Sequence, residues 1–410
     1  MKLLFIHQNF PGQFMHLAPA LVKRGHEVRA ILHSKNKVAP KIWNGINIHP
    51  YQVSRSSSKS IHPWIVDIET KTIRAEACYL ASKKLHEDGF VPDVVIAHPG
   101  WGEALFIKDV WPQTKLVLYC EYFYRAVGGD WNFDPEFKIK DPGGICRLHL
   151  KNLCNIQQFE TMDHGISPTK WQASTYPARI VDKIKVIHDG IDTASIKPNQ
   201  NIKLRINKDL VVGWHDEVIT FVNRNLEPLR GYHIFMRALP DILKRRPSAK
   251  VLIVGGDSTS YGPKPQGETT WKQVFIDEIR SQIPDEDWAR VHFLGNIQRT
   301  QFTALLQVSS IHVYLSYPFV LSWSLIEAMS AGCAIVASDT APIREVINEG
   351  QTGCLVDFFD TNALAQKVDS LMNNPELRKS LGTAARDFAI KHYDLSSACL
   401  PEQIRWVESL

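Results

Sequence analysis

The sequence predicts an α/β fold made of two consecutive doubly wound domains that face each other across a deep cleft. Short apolar runs with strand composition alternate with helical stretches through most of the 410 residues. The pattern begins at Leu3–Ile6, pauses at the Pro198-Asn199-Gln200 stretch and starts again at Val218–Val222. Because ligands of such sheets bind at the carboxyl ends of the strands, we expect the functional side chains there.

Composition limits the function classes. Apolar residues make up 44% and charged residues 22% of the chain, which is typical of a soluble globular enzyme. The net charge of +4 is uneven, since residues 1–200 carry +6 (25 Lys and Arg against 19 Asp and Glu) and residues 201–410 carry −2 (22 against 24). A mildly basic first half fits an anionic acceptor, but it lacks the dense basic patch of a nucleic-acid binder.

Cysteine usage and hydropathy indicate the compartment. The seven cysteines are scattered and form no C-x-x-C pair, which favours a reducing environment and argues against structural zinc. The first apolar run is too short for a signal peptide, and no stretch approaches the roughly 18 apolar residues of a spanning helix. The sequence predicts a cytoplasmic protein, with a peripheral contact to the inner face of the plasma membrane as an open alternative.

The amino-terminal elements form a βαβ unit. The strand Leu3–Ile6 is followed by a loop containing Gly12, a helix over about residues 14–24 and the strand Glu27–Leu32. The G-x-G-x-x-G fingerprint of nicotinamide-binding proteins is absent from this unit. Gly12 would let the backbone approach a ligand phosphate; the alternative is an ordinary tight turn.

Polar residues follow the next two predicted strands of this half. His98 comes directly after the strand Asp93–Ala97, and Glu121 lies just beyond the strand Lys115–Tyr119. Both strand ends point to one crevice, so these side chains are candidates to bind an acceptor hydroxyl. A purely structural role is the alternative. Two aromatic residues beside them could stack on a sugar acceptor or belong to the core: Trp101 and Tyr122.

In the second half the alternation of strands and helices begins again, and its first predicted loop carries two arginines. The strand Val218–Val222 leads into a predicted loop that carries Arg224 and Arg230, and a helix over Tyr232–Arg245 follows. Guanidinium groups bind phosphate oxygens in bidentate fashion, so two of them in one strand-to-helix loop can converge on a diphosphate. Two unrelated surface arginines are the alternative interpretation.

A later strand, loop and helix complete the predicted ligand edge. The strand Ile311–Leu315 is followed by an uncharged loop and by a helix that opens near Ser324, with Glu327 in its first turn. A helix N-terminus offers free N–H groups to an anion, and a carboxylate beside it can accept hydrogen bonds from sugar hydroxyls. The alternative is that Glu327 is a solvated or capping residue.

Together these stretches resemble the family 4 glycosyltransferases, which are retaining enzymes of the GT-B fold. The motifs that carry the resemblance occur in the family's order: Asn223-Arg224 through Arg230-Gly231, Gly255-Gly256-Asp257, Phe293-Leu294-Gly295, Glu327-Ala328-Met329 with Gly332, and Gly350-Gln351-Thr352-Gly353. In the first half, HQNFPGQF, AHPGWGE, SPTKWQ and HDGID are similar to a bacterial subgroup. The resemblance covers essentially the whole chain. It implies an acceptor domain over residues 1–200, a donor domain over 201–390 and a last helix, 391–410, that crosses back to the first domain.

The resemblance also implies site roles. The donor would be a nucleotide-diphosphate sugar, with UDP favoured over GDP and with no metal or other cofactor, and the acceptor a carbohydrate or glycolipid hydroxyl. Arg224 and Arg230 would neutralise the leaving diphosphate, Gly12 would pack against it, and Glu327 would hold the ribose. The base would face the backbone of Gly295, Asn296 and Ile297, and the other implied donor-binding residues are Leu321, Ser322, Trp323 and Ser324.

Two departures from the family pattern affect specificity. Phe319 stands eight residues before Glu327, where the E-x7-E motif of the family has a carboxylate that contacts the donor sugar. Glu121 replaces a frequent histidine, and His98 is a second candidate for that acceptor-side role. We interpret both as features of a specialised bacterial subgroup.

The leading hypothesis is a retaining glycosyltransferase that acts in polysaccharide, glycolipid or glycoconjugate biosynthesis. Phe319 motivates one alternative, a non-catalytic partner subunit that binds a sugar nucleotide without turning it over. A sugar-nucleotide epimerase is a further alternative, which would turn over its substrate without an acceptor.

Overall fold

The structure, a computed structural model, describes residues 1–34 and 41–410. It consists of two compact units, one made of Met1–Gly190 with Ser396–Leu410 and the other of Ile191–Leu395. The predicted domain boundary at residue 200 thus falls inside the second unit. We describe each unit by itself.

The first unit is organised around a sheet that, within the described residues, has eight strands in the order β3-β4-β2-β1-β5-β6-β7-β8. All neighbouring strands are parallel except β3 and β4. The strands are β1 (Lys2–Ile6), β2 (Glu27–His33), β3 (Ile42–Trp43), β4 (Ile46–Tyr51), β5 (Val94–Ala97), β6 (Lys115–Tyr119), β7 (His164–Ser167) and β8 (Ile184–Val186).

Both faces of the central strand β1 are covered, so all of its residues after Lys2 are apolar and buried. Leu4 and Ile6 belong to the core on one face of the sheet, and Leu3 and Phe5 belong to the core on the other face. The chain leaves β1 toward β2 on one side and returns to β5 on the other. The carboxyl ends of β1 and β5 therefore border a topological switch point, where open α/β sheets bind ligands.

Helices cover both faces of this sheet. They are α1 (Leu17–Lys23), α2 (Val66–Glu87), α3 (Ile107–Val110), α4 (Gly144–Lys151), α5 (Leu153–Phe159), α6 (Lys170–Ser174) and α7 (Ala178–Val181), with short 3-10 helices at Gly12–Phe14, Pro63–Ile65 and Pro99–Trp101. The helix predicted over residues 14–24 is thus divided into a 3-10 turn and α1. The Thr169 hydroxyl caps α6 by accepting from the Gln172 N–H.

The second unit repeats the parallel architecture. In the described part of the chain its sheet has six strands in the order β13-β12-β11-β14-β15-β16, and β9 and β10 form a separate antiparallel pair. The strands are β9 (Lys203–Arg205), β10 (Val211–Gly213), β11 (Val218–Asn225), β12 (Lys250–Gly256), β13 (Val291–Gly295), β14 (Ile311–Tyr314), β15 (Ala334–Ser338) and β16 (Cys354–Val356). Its switch point lies between β11 and β14.

The helices of the second unit are α8 (Tyr232–Arg245), α9 (Trp271–Ile279), α10 (Asp285–Trp288), α11 (Arg299–Val308), α12 (Trp323–Ser330), α13 (Ala341–Arg344), α14 (Thr361–Met372) and α15 (Pro375–Tyr393), with 3-10 turns at Pro228–Arg230 and Arg280–Gln282. A π-helical turn, Leu395–Cys399, begins at the last residue of this unit and continues into the carboxy-terminal segment of the first unit. The predicted helix over Tyr232–Arg245 is confirmed as α8. The sequence predicted that α12 begins near Ser324, and in the structure it begins at Trp323. Because Ser322 is the N-cap, Glu327 is the fifth helical residue and lies beyond the first turn.

The last helix, α16 (Leu400–Glu408), belongs to the first unit. Val407 enters the core on the β1 face that holds Leu3 and Phe5. The Arg24 guanidinium donates to both carboxylate oxygens of Glu408, at 3.0 and 2.9 Å. Over residues 1–34 and 41–410, no helix combines the length and the hydropathy needed to cross a bilayer.

Candidate functional site

The carboxyl edge of the second sheet gathers most of the residues predicted to bind a donor. β11 leads into the turn that carries Arg230, β13 leads into Gly295–Ile297, and β14 leads through Ser316 to the start of α12. Because these strands are parallel, their carboxyl ends meet at one edge of the sheet, around the switch point between β11 and β14. The topology thus brings together segments that are far apart in sequence.

Arg230 is the fixed cation of this edge. Its side chain is buried, with the residue 9% exposed, and Nη1 donates to Ser316 Oγ at 2.9 Å and to the Val320 carbonyl at 3.1 Å. Within the described residues, no hydrogen bond uses its Nε or Nη2 and no carboxylate forms an ion pair with it. Because both acceptors are neutral, they do not compensate the charge of the buried guanidinium. Its Nε and Nη2 donors are therefore available to bind an anion.

Arg224 differs from Arg230. It is the second-to-last residue of strand β11 and is exposed, whereas the sequence predicted both arginines within one loop. The prediction failed because β11 extends to Asn225, where it pairs with Gly256 of β12. Only Arg230 is positioned by contacts that the structure shows.

Glu227 organises the loop between the two arginines. It is almost fully buried and accepts hydrogen bonds from the Ser260 and Tyr261 N–H groups, at 3.0 and 2.9 Å. Burial raises the pKa of its carboxyl group, and these bonds and the charges of Arg230 and Arg224 partly offset the rise. Glu227 thus fastens the segment after β12 to the segment after β11.

Phe319, which occupies the position of the missing family carboxylate, lies next to Arg230. The centroid of its ring is 5.5 Å from the guanidinium carbon, and the Tyr261 ring is 5.7 Å from the same atom. The two rings contact each other edge to face at 4.8 Å. Cation–π attraction favours a charged guanidinium at this place. The position where the resemblance implies a carboxylate thus carries an aromatic ring beside Arg230.

The amino end of α12 is capped by Ser322. Its hydroxyl accepts from the Ser324 N–H at 3.3 Å and shares a hydrogen bond with the Ser324 hydroxyl at 2.8 Å. The Tyr314 hydroxyl accepts from the Ser322 N–H at 3.1 Å. Leu321 and Trp323 pack into the core of the unit. The remaining N–H groups and the dipole of this eight-residue helix favour an anion at its start.

Glu327 lies in α12 with only 4% of its surface exposed. Its Oε1 is 2.5 Å from Nη2 of Arg299, the first residue of α11. Burial raises the pKa of the Glu327 carboxyl group, and the charge and hydrogen bond of Arg299 partly counter that rise. The sequence reasoning did not find this partner.

The Gly295–Ile297 segment joins β13 to α11. Gly295 has φ +63°, and no heavy atom lies within 4 Å of the position that a Cβ would take there. Ile297 packs against the core, and Asn296 points its amide toward Gly256. The open backbone at Gly295 suits a planar group in van der Waals contact with the main chain.

In the first unit, the structure brings His98 and Glu121 together. Nε2 of His98 is 3.3 Å from Glu121 Oε2, and the Gly100 N–H donates to Nδ1 of His98 at 3.1 Å. Because Nδ1 accepts, Nε2 carries the proton and donates to the carboxylate. Gln13 donates to the other carboxylate oxygen, Oε1, at 3.0 Å.

This arrangement sets the protonation of Glu121. Burial alone would raise the pKa of its carboxyl group, but the bonds from His98 and Gln13 outweigh burial and lower it. Glu121 is therefore an ionised hydrogen-bond acceptor at neutral pH. Such a group can bind a hydroxyl and orient it.

His7 is a site neighbour that the sequence reasoning missed. It follows β1 at the switch point, is buried, and has a pKa lowered to about 3 by burial and by the nearby His98. Gly12, at φ +49°, lies directly on the His7 ring, since a Cβ there would be 2.4 Å from Cε1. A side chain at position 12 is thus excluded by the packing of His7, as well as by backbone strain.

The two aromatic candidates are largely committed to packing. Trp101 stacks on His98 with ring centroids 4.0 Å apart and an interplanar angle of 20°. Tyr122 is buried, stacks on Trp171 and donates its hydroxyl hydrogen bond to Asp130 at 2.8 Å. Trp101, which is only partly buried, keeps some surface for a ligand.

Several residues of these edges were not predicted from the sequence, because single polar residues in loops and at helix starts carry no pattern. They are His7, Gln13, Glu227, Arg299 and Ser316. The one usable signal was position, because His7 and Ser316 each lie within two residues of a strand's carboxyl end.

Comparison with known proteins gives matches over most of the chain. A family model described as "Glycosyl transferase family 4 group" matches residues 24–196, and one described as "Glycosyl transferases group 1" matches residues 205–388. The chain is 28% identical to a D-inositol 3-phosphate glycosyltransferase of Corynebacterium efficiens, over 71% of this chain and 64% of that protein. It is 28% identical to a phosphatidyl-myo-inositol mannosyltransferase of Mycolicibacterium smegmatis, over 55% of this chain and 51% of that protein.

Solved structures show the same architecture. HepE from Anabaena, in complex with UDP, superposes with a TM-score of 0.70 at 17% identity over 100% of both chains. A sucrose-phosphate synthase from Thermosynechococcus elongatus gives 0.74 at 16% identity, over 100% of this chain and 99% of that one. At these identities the likeness concerns the fold, and it confirms the predicted GT-B class.

Proposed function

The chain belongs to family 4 of the glycosyltransferases, and from this premise we propose that it transfers a sugar from a nucleotide-diphosphate sugar to a hydroxyl acceptor. The proposal includes retention of the anomeric configuration, as in the retaining family, and a product that is a polysaccharide, glycolipid or other glycoconjugate. The chain aligns with about two thirds or less of the length of these curated relatives, so their activities serve only as a guide to this one.

The observation that carries the proposal is the state of Arg230. This buried guanidinium is oriented by Ser316 and Val320, has no carboxylate partner among the described residues, and lies on the same sheet edge as the start of α12. A diphosphate bound there would meet a fixed cation and a helix N-terminus together. Glycosyl transfer needs this arrangement, because negative charge builds up on the departing diphosphate.

In the proposed reaction, the bond between the anomeric carbon and the diphosphate oxygen breaks while the acceptor oxygen bonds to the same face of that carbon, and the proton of the acceptor hydroxyl passes to the departing diphosphate. Arg230 would stabilise the leaving diphosphate without having to reorient, since its position is already set. Arg224 would add a second, more mobile cation at the exposed rim. No step of this scheme requires a metal ion.

UDP is the nucleotide that we propose. Support comes from HepE, whose solved complexes contain UDP and UDP-glucose and whose fold this chain shares. In this chain, Gly295–Ile297 would face the base, and Glu327 would accept hydrogen bonds from the ribose.

For the acceptor we propose a carbohydrate or glycolipid hydroxyl oriented by Glu121. The Glu121 carboxylate is held from both sides by His98 and Gln13, and its lowered pKa keeps it ionised. A cytoplasmic location, with peripheral contact to the inner face of the plasma membrane for a lipid acceptor, is part of the same proposal.

The test is calorimetric binding of UDP-, GDP-, ADP- and dTDP-sugars to the wild type and to Arg230→Ala. We expect one UDP-sugar to bind with sub-millimolar affinity, and Arg230→Ala to weaken that binding at least tenfold. If the wild type bound none of the four classes, the donor-site assignment would be wrong.

Phe319 gives a reason to test a second candidate, a binding subunit without turnover. Phe319 stands at the sequence position where the resemblance implies a carboxylate, and it forms an aromatic pair with Tyr261 beside Arg230. A non-catalytic protein would bind the same UDP-sugar but release no UDP in the presence of an acceptor mixture. Release of UDP by the wild type and its loss in Arg230→Ala would exclude this candidate.

A further inference from the structure

The contact between Arg299 and Glu327 joins two elements of the donor edge. Arg299 opens α11 directly after the Gly295–Ile297 segment, and Glu327 projects from α12. Arg299 is 59% exposed at its side chain, whereas Glu327 is buried. An exposed guanidinium thus covers a buried carboxylate between the candidate base-binding segment and the candidate diphosphate-binding helix.

The two carboxylate oxygens of Glu327 are not equivalent. Oε1 is 2.5 Å from Nη2 of Arg299. No hydrogen bond from any described residue reaches Oε2. A carboxylate oxygen offers lone pairs to hydroxyl donors, so the free oxygen is the one suited to a vicinal diol such as the 2′- and 3′-hydroxyls of a ribose.

We propose that Arg299 is a positioning residue for nucleoside recognition: it binds Oε1 of Glu327 and thereby keeps Oε2 directed at the ribose hydroxyls. This inference rests on the proposed function, since it assigns the ribose to Glu327. Arg299 acts here through Glu327 rather than by touching the phosphates. It sets affinity for the ribose part of the donor.

Electrostatics gives the reason why Glu327 needs such a partner. A carboxylate in an apolar environment is costly, and burial alone shifts Glu327 toward its neutral form, which would lose acceptor strength. Among the described residues, Arg299 on α11 is the charged group that faces Glu327, and neither α12 itself nor the neighbouring strands contribute another. When the Arg299 charge is removed, burial should therefore raise the pKa of the Glu327 carboxyl group further.

The experiment compares UDP with 2′,3′-dideoxy-UDP, which lacks both ribose hydroxyls, on the wild type, Arg299→Gln and Arg299→Lys. Arg299→Gln should weaken UDP binding about tenfold, the typical worth of a hydrogen bond to a charged group. It should leave the binding of dideoxy-UDP and of inorganic pyrophosphate unchanged. Arg299→Lys keeps the charge and should recover part of the loss.

The pH dependence of UDP affinity provides a second measurement, which would not change if Arg299 had only a structural role. Glu327 must be ionised to accept from the ribose, so UDP affinity falls as the pH drops through the pKa of Glu327. In Arg299→Gln this fall should begin at a higher pH than in the wild type, and in Arg299→Lys it should stay near the wild-type pH. Arg245→Gln, which removes an exposed arginine paired with Asp241 on α8, is the matched control.

The outcomes separate this inference from the proposed function. Equal loss of UDP and dideoxy-UDP in Arg299→Gln, or an unshifted pH profile, would overturn the role of Arg299 while the wild type still bound UDP. Failure of the wild type to bind UDP at all would overturn the proposed function and this inference with it. A selective loss for UDP together with a shifted pH profile supports both.

Discussion

Arg230 Nη1 donates a hydrogen bond to Ser316 Oγ at 2.9 Å, and this contact joins the segment after β11 to the segment after β14. The two strands are neighbours in the sheet but stand far apart in sequence, with β12 and β13 between them along the chain. Ser316 is in turn fixed, since its N–H donates to Ser338 Oγ at 3.0 Å. The cation at the switch point is thus held by a neutral acceptor that is itself fixed by a further hydrogen bond.

The two arginines are expected to contribute unequally to nucleotide binding. Arg230→Ala should weaken UDP binding about 10- to 100-fold, because a pre-positioned charged donor is worth about 1.5–3 kcal/mol. Arg224→Ala should weaken UDP binding by less than about tenfold, because the Arg224 side chain is exposed and its charge is screened by solvent. Calorimetric titration with UDP measures both.

Ser316→Ala tests whether orientation matters in addition to charge. It leaves Arg230 in place but removes one of its two acceptors, so UDP binding should fall by a few-fold, which corresponds to about 1 kcal/mol. Wild-type affinity in this variant would show that the charge of Arg230 suffices without Ser316.

Phe319→Glu would restore the family motif by sequence, yet we expect it to weaken UDP binding. The ring of Phe319 lies 5.5 Å from the Arg230 guanidinium carbon, so a carboxylate at this position would pair with Arg230 and compete with the diphosphate. Phe319→Leu is the control, because it removes the ring without adding charge. Tighter UDP binding by Phe319→Glu than by Phe319→Leu would contradict this expectation.

A side chain at Gly231 is predicted to destabilise the fold because it would overlap with Leu315. Gly231 and Gly350 both have φ +70°, but a Cβ on Gly231 would lie 2.2 Å from Leu315 Cβ, whereas nothing lies within 4 Å at Gly350. Gly350→Ala should lower the free energy of unfolding by about 1 kcal/mol, the cost of a left-handed alanine. Gly231→Ala should lower it by roughly a further 1–3 kcal/mol from overpacking.

Urea unfolding of both glycine variants, with the UDP affinity of each, checks this prediction. Gly231→Ala should also weaken UDP binding, because it displaces the turn that carries Arg230. Equal destabilisation by the two variants would show that the backbone relaxes away from Leu315 at little cost.

The Glu121 carboxylate should stabilise the fold in a pH-dependent way. Its pKa in the folded protein is below the ordinary value, because the bonds from His98 and Gln13 outweigh burial. The stabilisation is therefore complete above the unfolded carboxyl pKa of about 4.3 and is lost as the pH falls through the folded pKa. Glu121→Gln should lower the melting temperature most at pH 6–7, and the difference should shrink below about pH 4.

Melting curves of the wild type and of Glu121→Gln between about pH 3 and pH 7 measure this effect. Glu76→Gln is a suitable control, because Glu76 forms an exposed ion pair with Arg55 at 3.4 Å that contributes little. A difference between the wild type and Glu121→Gln that stayed constant with pH would mean that charge is not what Glu121 contributes.

The amino-acid sequence by itself determined the α/β architecture and several of the strands that are followed by candidate site residues. Buried parallel strands are nearly continuous apolar runs, so β1, β5, β6 and β11 could be read from local composition. The ends of β5 and β6 follow from the same runs, which placed His98 and Glu121 at the carboxyl edge of the first sheet, whereas β11 continues past its apolar run to Asn225. Family motifs then identified the chain as a glycosyltransferase.

Only the tertiary structure decided which polar groups meet. The pairs His98 with Glu121, Arg230 with Ser316 and Arg299 with Glu327 join segments whose separation in sequence carries no periodic signal. Likewise, the exposure of Arg224 and the burial of Arg230 depend on where β11 ends and what packs over the following turn. Local composition fixes elements because it acts over a few residues, whereas partners and burial arise from the packing of the whole sheet.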